Sequence, residues 1–168
     1  MKQKIRLAMR VLYPNQYFSE KILFYFKLAQ FFNRAKLKII AIQIKGFIYY
    51  KFNCDIGLNA KIGKNLVIKH AIGIVIGDGV IIGDDVKIFQ NVTLGGKRFN
   101  NNMELTPCYP TIQDNVTIFA NSSILGGVTI GENAVIGAHS LVIDDVPAGS
   151  TFIGVPAKNC SKNGRYNI

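Results

Sequence analysis

The chain has 168 residues, an apolar content of 49% and a mean hydropathy of +0.21, which together exclude an intrinsically disordered protein. Its formal net charge is +10, and the excess lies in residues 1–51, which contain eleven Lys and Arg but a single acid, Glu20. Residues 52–168 contain equal numbers of basic and acidic residues and no recognisable nucleic-acid-binding motif, so we predict no nucleic-acid partner.

The N-terminal segment, residues 1–52, is rich in helix formers and aromatic side chains, and we predict that it is helical. Prolines, glycines and capping residues mark where its helices should begin and end. The predicted divisions are a short helix over 2–12, a break at Pro14, an N-cap at Ser19, a break near Asn33, a weak point at Gly46 and an end near Tyr50.

Two interpretations of this basic, aromatic segment remain open. In the first interpretation, the helices pack their aromatic face against the rest of the molecule or against sister subunits, while the lysines stay in water. Alternatively they also lie on an anionic membrane surface, where each basic residue contributes about 1 kcal/mol. We predict no membrane-spanning helix, because lysines interrupt every stretch long enough to span and a span needs about 20 predominantly apolar residues.

An aliphatic residue recurs at every sixth position through most of the remaining sequence. A six-residue period with glycines at turns is typical of a parallel β-helix, in which each hexapeptide forms one short strand and one turn. The periodic residue and the residue four places later point inward, and stacked coils share one core. We therefore predict a mainly β fold. The periodic residues are Ile56, Ile62, Ile68, Ile76, Ile82, Ile88, Leu94, Ile112, Ile118, Ile124, Ile130, Ile136 and Val142.

The six-residue period is disturbed twice. It shifts by two residues between Ile68 and Ile76, which predicts a corner where one coil is enlarged. It is then interrupted between Leu94 and Ile112 but resumes in phase, since the gap is three periods long. The second disturbance predicts an extruded loop, residues 97–110, and insertions in such arrays tend to collect on a binding face.

The coils should end near Pro147 and Pro156, because proline cannot continue a strand ladder. The predicted division is a helical segment over 1–52, a β-helix domain over 53–156 and a tail over 157–168. The three cysteines, Cys54, Cys108 and Cys160, share no metal or redox spacing and fit a reducing compartment. No secretory signal is recognisable, so we predict a cytoplasmic protein, at the inner membrane face if the helices bind lipid.

Only two histidines occur in the sequence, too few for the three-histidine zinc site of a β-helix carbonic anhydrase, and we predict no metal site. His139 occupies an outward position of a regular repeat and is predicted to be an ordinary surface residue. His70 lies in the enlarged corner, and an imidazole is a suitable base for an alcohol. Asp55 lies fifteen residues earlier and would stack near His70 to orient its ring, or else is a solvated acid.

Five stretches of this sequence resemble the serine acetyltransferase family of left-handed parallel β-helix acyltransferases. They are Asp55-Ile56, IKHAIGIVIGDGVIIGDDVKIFQNVTLGGK, Tyr109-Pro110, ILGGVTIGENAVIGAHSLV and GVPAK, within about residues 53–160. The resemblance implies a left-handed β-helix, an acetyl-CoA-dependent O-acetyltransferase, a homotrimer, and active sites between neighbouring subunits.

The resemblance also implies roles for individual residues. His70 matches the catalytic base of the family and Asp55 matches the carboxylate that pairs with it. The backbone N–H of Gly96 is the candidate donor to the oxyanion. Gly96, Ala120 and Ala138 match positions that line the pantetheine arm of CoA. The basic residues Lys97, Arg98 and Lys158 either meet the CoA phosphates or are plain solvated charges.

The departures from the family concern the acceptor. Serine acetyltransferases carry Asp where this chain has Lys69, and Arg-His where it has Cys108-Tyr109. A lysine repels the ammonium group that the aspartate would hold. The chain also resembles shorter relatives that acetylate sugar hydroxyls in capsule and exopolysaccharide synthesis. We therefore predict a saccharide acceptor, small or lipid-linked, with serine O-acetylation as the alternative and a non-catalytic β-helix scaffold as a second alternative.

Overall fold

A computed structural model describes residues 14–96 and 108–160 of the chain. Helix α1, Pro14–Arg34, and helix α2, Lys38–Phe52, precede a series of short strands. The predicted helix over 2–12 and the predicted contacts of Lys97 and Arg98 lie outside the described residues. The strands are β1 Cys54–Ile56, β2 Lys61–Ile62, β3 Val67–Ile68, β4 Ile74–Ile76, β5 Ile81–Ile82, β6 Lys87–Ile88, β7 Thr93–Gly95, β8 Thr111–Ile112, β9 Thr117–Ile118, β10 Ser123–Leu125, β11 Thr129–Ile130, β12 Val135–Ile136, β13 Leu141–Val142, β14 Thr151–Ile153 and β15 Lys158–Asn159.

The strands stack into a parallel β-solenoid with three faces. One sheet has the order β1-β4-β7-β10-β13, the second β11-β8-β5-β2 and the third β15-β14-β12-β9-β6-β3. Regular partners such as Val75 and Thr93, or Ser123 and Leu141, are eighteen residues apart, which is one coil of three hexapeptides. The predicted mainly β, hexapeptide-repeat fold is therefore confirmed.

The core of the solenoid consists of the residues that the period predicted to point inward. Ile68, Ile88, Ile118 and Ile136 are fully buried, one above another in the third sheet. Burying a side chain of this size contributes roughly 1.5–3 kcal/mol, so stacking supplies the stability that one coil cannot supply alone.

The enlarged corner is confirmed, and the coils resume in phase after the second disturbance. Cys54 pairs with Ile74, twenty residues later, so the corner between β3 and β4 contains two residues more than a regular corner. Ile82 pairs with Ile112 in the same register as the other coils. Residues 97–107 of the predicted loop lie outside the described residues, so its extrusion stays a prediction.

The predicted N-cap at Ser19 is wrong. Helix α1 already begins at Pro14, a residue well suited to the first turn of a helix, and Ser19 lies in its second turn. The buried Ser19 Oγ donates to the Ile68 carbonyl over 2.8 Å and accepts from the Ile68 N–H over 2.9 Å. A tertiary contact with the solenoid, rather than a local cap, therefore explains this serine.

The remaining helix predictions have mixed outcomes. The break near Asn33 is confirmed, because α1 ends one residue later at Arg34. Gly46 does not interrupt α2, which continues to Phe52, two residues beyond the predicted end. No helix among the described residues is both long enough and apolar enough to cross a bilayer.

Of the two prolines predicted to end the coils, Pro147 does not end them, whereas the last parallel strand, β14, ends at Ile153, three residues before Pro156. Strand β14 continues the third sheet in parallel beside β12, and β15 then turns back antiparallel to β14. Pro147 is tolerated because it lies in a turn between strands, where its carbonyl accepts from Ser150 and its missing N–H is not needed.

The two helices cover the first coil of the solenoid. Ile22, Phe26, Ile48 and Phe52 belong to the same buried cluster as the first strand. The Gln30 amide also donates to two backbone carbonyls of the first coil, those of Leu58 and Ala60. The helical segment is thus packed on the end of the β-helix.

Candidate active site

His70 lies on the surface in the enlarged corner between β3 and β4. Its backbone is in the left-handed region, with φ of 54°, and its carbonyl accepts from the Ile72 N–H over 2.7 Å. At the regular corners Asn91, Asn121 and His139 adopt the left-handed conformation, and Gly73, in register with Asn91, does so at the enlarged corner. His70 is therefore an additional left-handed residue, found only where the corner is enlarged among the described coils.

Backbone hydrogen bonds hold this corner against the coils on either side. The Gly73 N–H donates to the Asn53 carbonyl over 2.9 Å, and the Asn91 N–H donates to the Ile72 carbonyl over 2.8 Å. Asn53 precedes Asp55 by two residues, so the fold brings the chain segments of the two predicted catalytic residues, His70 and Asp55, together at one corner. The contact between their side chains stays a prediction.

Asp55 lies in β1 between two buried residues, and its half-exposed side chain points outward. The Lys45 ammonium on α2 lies 2.9 Å from its Oδ1 atom. Charge-assisted contacts of this kind are stronger than neutral ones, although partial exposure screens them. Sequence analysis missed Lys45, because no sequence pattern indicates that a helix lysine would meet the first strand.

Tyr109, at the base of the extruded loop, packs on a surface made of glycines. A Cβ atom at Gly77 would come within 2.6 Å of the Tyr109 ring, and a Cβ at Gly96 within 2.8 Å. A Cβ atom at Gly79 would also collide with this ring. The structure thus brings together Tyr109 and Gly96, and a side chain at any of these glycines would force the Tyr109 ring to shift.

The other two predicted acceptor residues lie on different coils. Lys69 is half-buried directly before His70, and its backbone N–H donates to the Ile88 carbonyl over 2.7 Å. Cys108 is exposed, and a Cβ atom at Gly127 would come within 2.9 Å of its Cβ atom. Lys69 therefore stands beside the candidate base at the end of the first coil, whereas Cys108 lies in the third coil, between β7 and β8.

Ala120 and Ala138 occupy equivalent positions in successive coils. The His139 N–H donates to the Ala120 carbonyl over 2.9 Å, as the Asn121 N–H does to Gln90 over 3.0 Å. Small side chains thus follow one another along this corner. The His139 Nε2 atom lies 3.3 Å from the Asn121 amide nitrogen, and both side chains are exposed, as expected for a surface histidine.

Gln90 is a residue at this corner that sequence analysis missed. Within the part of the chain that the structure describes, its Oε1 atom is buried and has no hydrogen-bond partner. The remaining predicted cofactor contact, Lys158, is an exposed residue of β15 in the last coil. Among the described residues no group of three or more His, Cys, Asp or Glu side chains converges on one point.

One cavity of the described structure lies away from this corner. It has a volume of about 420 Å³ and is lined by the end of α1 and the first coil, including Arg34 and Lys61. None of the predicted site residues lines it. His70 and Gly96 instead lie on the open surface of the single chain.

Comparisons with known proteins relate this geometry to a family. Residues 109–144 match the model of the bacterial transferase hexapeptide, six repeats. The chain is 41% identical over 78 residues to a serine acetyltransferase of Bacillus subtilis, covering 46% of this chain and 34% of that protein. It superposes on the crystal structure of serine acetyltransferase from Vibrio cholerae with a TM-score of 0.75 and 37% identity, over 82% of this chain and 52% of that one. The chain is therefore similar, in sequence and in fold, to serine acetyltransferases.

Another similar structure is serine acetyltransferase from Brucella abortus in complex with coenzyme A. It has a TM-score of 0.75 and 31% identity, over 82% of this chain and 54% of that one. The chain thus spans about half of these serine acetyltransferase structures and about a third of the matched curated relative.

Proposed function

We propose that the protein is an acetyl-CoA-dependent O-acetyltransferase of the serine acetyltransferase type, with L-serine as the first candidate acceptor. The observation that carries the proposal is the enlarged corner, which presents His70 and is hydrogen-bonded to the segment that precedes Asp55. The similarity of the chain to serine acetyltransferases, including one bound to coenzyme A, supports acetyl-CoA as the donor and L-serine as the acceptor.

In the proposed reaction His70 accepts the proton of the acceptor hydroxyl, while the oxygen of that hydroxyl attacks the thioester carbonyl of acetyl-CoA. The C–S bond then breaks, and the CoA sulfur takes the proton from the imidazolium, which leaves an O-acetyl ester and free CoA. Asp55 orients the imidazole through Oδ2, while Lys45 holds Oδ1. The Gly96 N–H donates to the developing oxyanion.

The cofactor follows the corner that Ala120 and Ala138 line, where small side chains leave room for the pantetheine arm. Lys158 and Lys97 are the candidate partners of its phosphates, with Lys97 outside the described residues. A homotrimer completes the site, since His70 lies on an open surface that a neighbouring subunit would cover.

A saccharide acceptor is the second candidate function. The sequence alone favours this acceptor, but the similarity to serine acetyltransferases supports the serine acceptor better. One observation still favours the saccharide: Lys69, directly before His70, carries a positive charge that disfavours an amino-acid ammonium group. Cys108 and Tyr109 would then contact the sugar in place of an amino acid.

The proposal is tested by thiol release from acetyl-CoA, measured with L-serine and with a panel of nucleotide-linked and lipid-linked sugars. His70→Ala should lower kcat by at least about 10²-fold, because the hydroxyl proton loses its acceptor, while CoA binding is retained. His139→Ala, which removes the other histidine, is the matched control and should keep near-full activity. Equal losses in both variants would place the chemistry elsewhere.

A further inference from the structure

Helix α2 is buried along one narrow stripe, which packs against α1 and the first coil of the solenoid. Ala41, Ile48 and Phe52 are buried, and their spacing of seven and four residues places them on one side of the helix. A surface helix that buries one side normally presents polar side chains on the opposite side.

The opposite side of α2 is apolar instead. Ile39 is 75% exposed, Ile42 61% and Tyr50 85%, and with Gly46 they follow the helical spacing of three, four and four residues. These four residues are called here the outer stripe; Gly46 contributes no side chain to it, and the exposed Gln43 is a polar residue on the same side. Exposed apolar surface of this kind indicates an interaction site.

Basic residues flank the outer stripe. Lys36, Lys38 and Lys51 are exposed, and within the described part of the chain they form no ion pair. Helix α1 adds Phe24 and Phe31, which are two turns apart on one side of that helix and are largely exposed. Exposed apolar side chains thus occur on both helices of the hairpin.

We propose that the outer stripe and its flanking lysines bind a membrane that contains anionic lipids, with α2 lying flat on the bilayer. The charge of this segment favours a lipid surface over a second copy of the chain. Residues 1–51 contain eleven basic residues and one acid, so two such surfaces repel each other. Anionic lipid headgroups attract them instead. The isoleucines enter the boundary between headgroups and acyl chains, and Tyr50 supplies the amphipathic ring typical of this depth.

The experiment is co-sedimentation of the full chain with vesicles of phosphatidylcholine plus phosphatidylglycerol, compared with phosphatidylcholine alone. The protein should pellet with the anionic vesicles only, and less as salt is raised. The double variant Ile39→Asp and Ile42→Asp should reduce the partition coefficient at least tenfold. Its melting temperature should be unchanged, because both side chains are exposed.

A matched set of charge variants tests the lysines. Lys36→Gln, Lys38→Gln and Lys51→Gln together should lower partitioning to anionic vesicles by about a hundredfold. The control replaces Lys61, Lys64 and Lys87 of the solenoid surface by Gln, which changes the net charge equally but should have a much smaller effect. Wild-type protein that fails to pellet with anionic vesicles at low salt overturns the proposal. A solution mass that falls in the Ile39→Asp and Ile42→Asp variant also overturns it, since a second copy then covers the stripe.

Discussion

At the scale of single residues, buried and exposed groups of the same type behave differently, and the cysteines illustrate this. Cys54 is 1% exposed at the junction of α2 and β1, and burial raises the pKa of its thiol from 9.0 to about 11, although a backbone hydrogen bond with Ile74 opposes the rise. Cys108, beside the candidate site, is exposed. Only thiolates react quickly, so the two should be chemically distinct.

We predict that a thiol reagent at pH 8 labels Cys108 rapidly in the native protein and Cys54 only after unfolding.

The raised pKa of Cys54 also makes the stability of the protein depend on pH. Above about pH 9 the unfolded thiol ionises while the folded one stays protonated, so the free energy of unfolding falls between about pH 9 and 11. Denaturant titrations should show a smaller fall for Cys54→Ala. Equal labelling rates for Cys54 and Cys108 would contradict the labelling prediction.

Single residues also show how far the site follows from sequence. The enlarged corner that contains His70 could be predicted, because the six-residue period is interrupted there; the role of His70 stays a prediction. Lys45 could not be predicted, because its contact with Asp55 depends on where α2 lies against β1. Gln90 was missed for the same reason, since burial of its Oε1 atom depends on the stacking of coils.

At the scale of elements, the contact between α1 and β3 links the helices to the first coil. Strand β3 lies at the edge of its sheet, and Ser19 bonds both the N–H and the carbonyl of Ile68. A side chain thus replaces the neighbouring strand that an edge lacks. This explains why local capping rules gave the wrong role for Ser19: the hydroxyl is satisfied by another element.

We predict that Ser19→Ala destabilises the protein by about 1–3 kcal/mol, because it leaves two buried backbone groups of Ile68 unpaired. Chemical denaturation gives the free energy, and hydrogen exchange of the Ile68 amide should quicken. Ser123→Ala makes the same chemical change at a half-buried strand position of β10 and should cost less. Similar costs for both would mean that the Ile68 contact adds no stability.

Strands proved easier to predict than helix ends or the last coil. The inward positions of Ile118 and Ile136 follow from a period of six, because every coil imposes the same environment on equivalent residues. Pro147 misled the prediction, because a proline excludes a strand only where its N–H would pair, and here it occupies a turn.

At the scale of the whole molecule, the proposed enzyme and the alternative of a non-catalytic scaffold differ in ligand binding. A ligand of the native state raises stability by about 2.7 kcal/mol at a hundredfold excess over its Kd. We predict that CoA at this excess raises the Tm by roughly 5–10 °C for a chain of this size. Thermal unfolding with and without CoA measures this, and His70→Ala should show the same rise. A Tm that CoA leaves unchanged would favour the scaffold.

The two ends of the solenoid are built differently from its middle. The helices cover the first coil, while β15 runs antiparallel along the outer edge of β14. Exposed edges of parallel strands invite growth by addition of further chains. Because these ends do not repeat the coil, they prevent further coils from adding and so fix the length of the solenoid. Whole coils of eighteen residues can in principle be added or lost between these ends without opening a new edge.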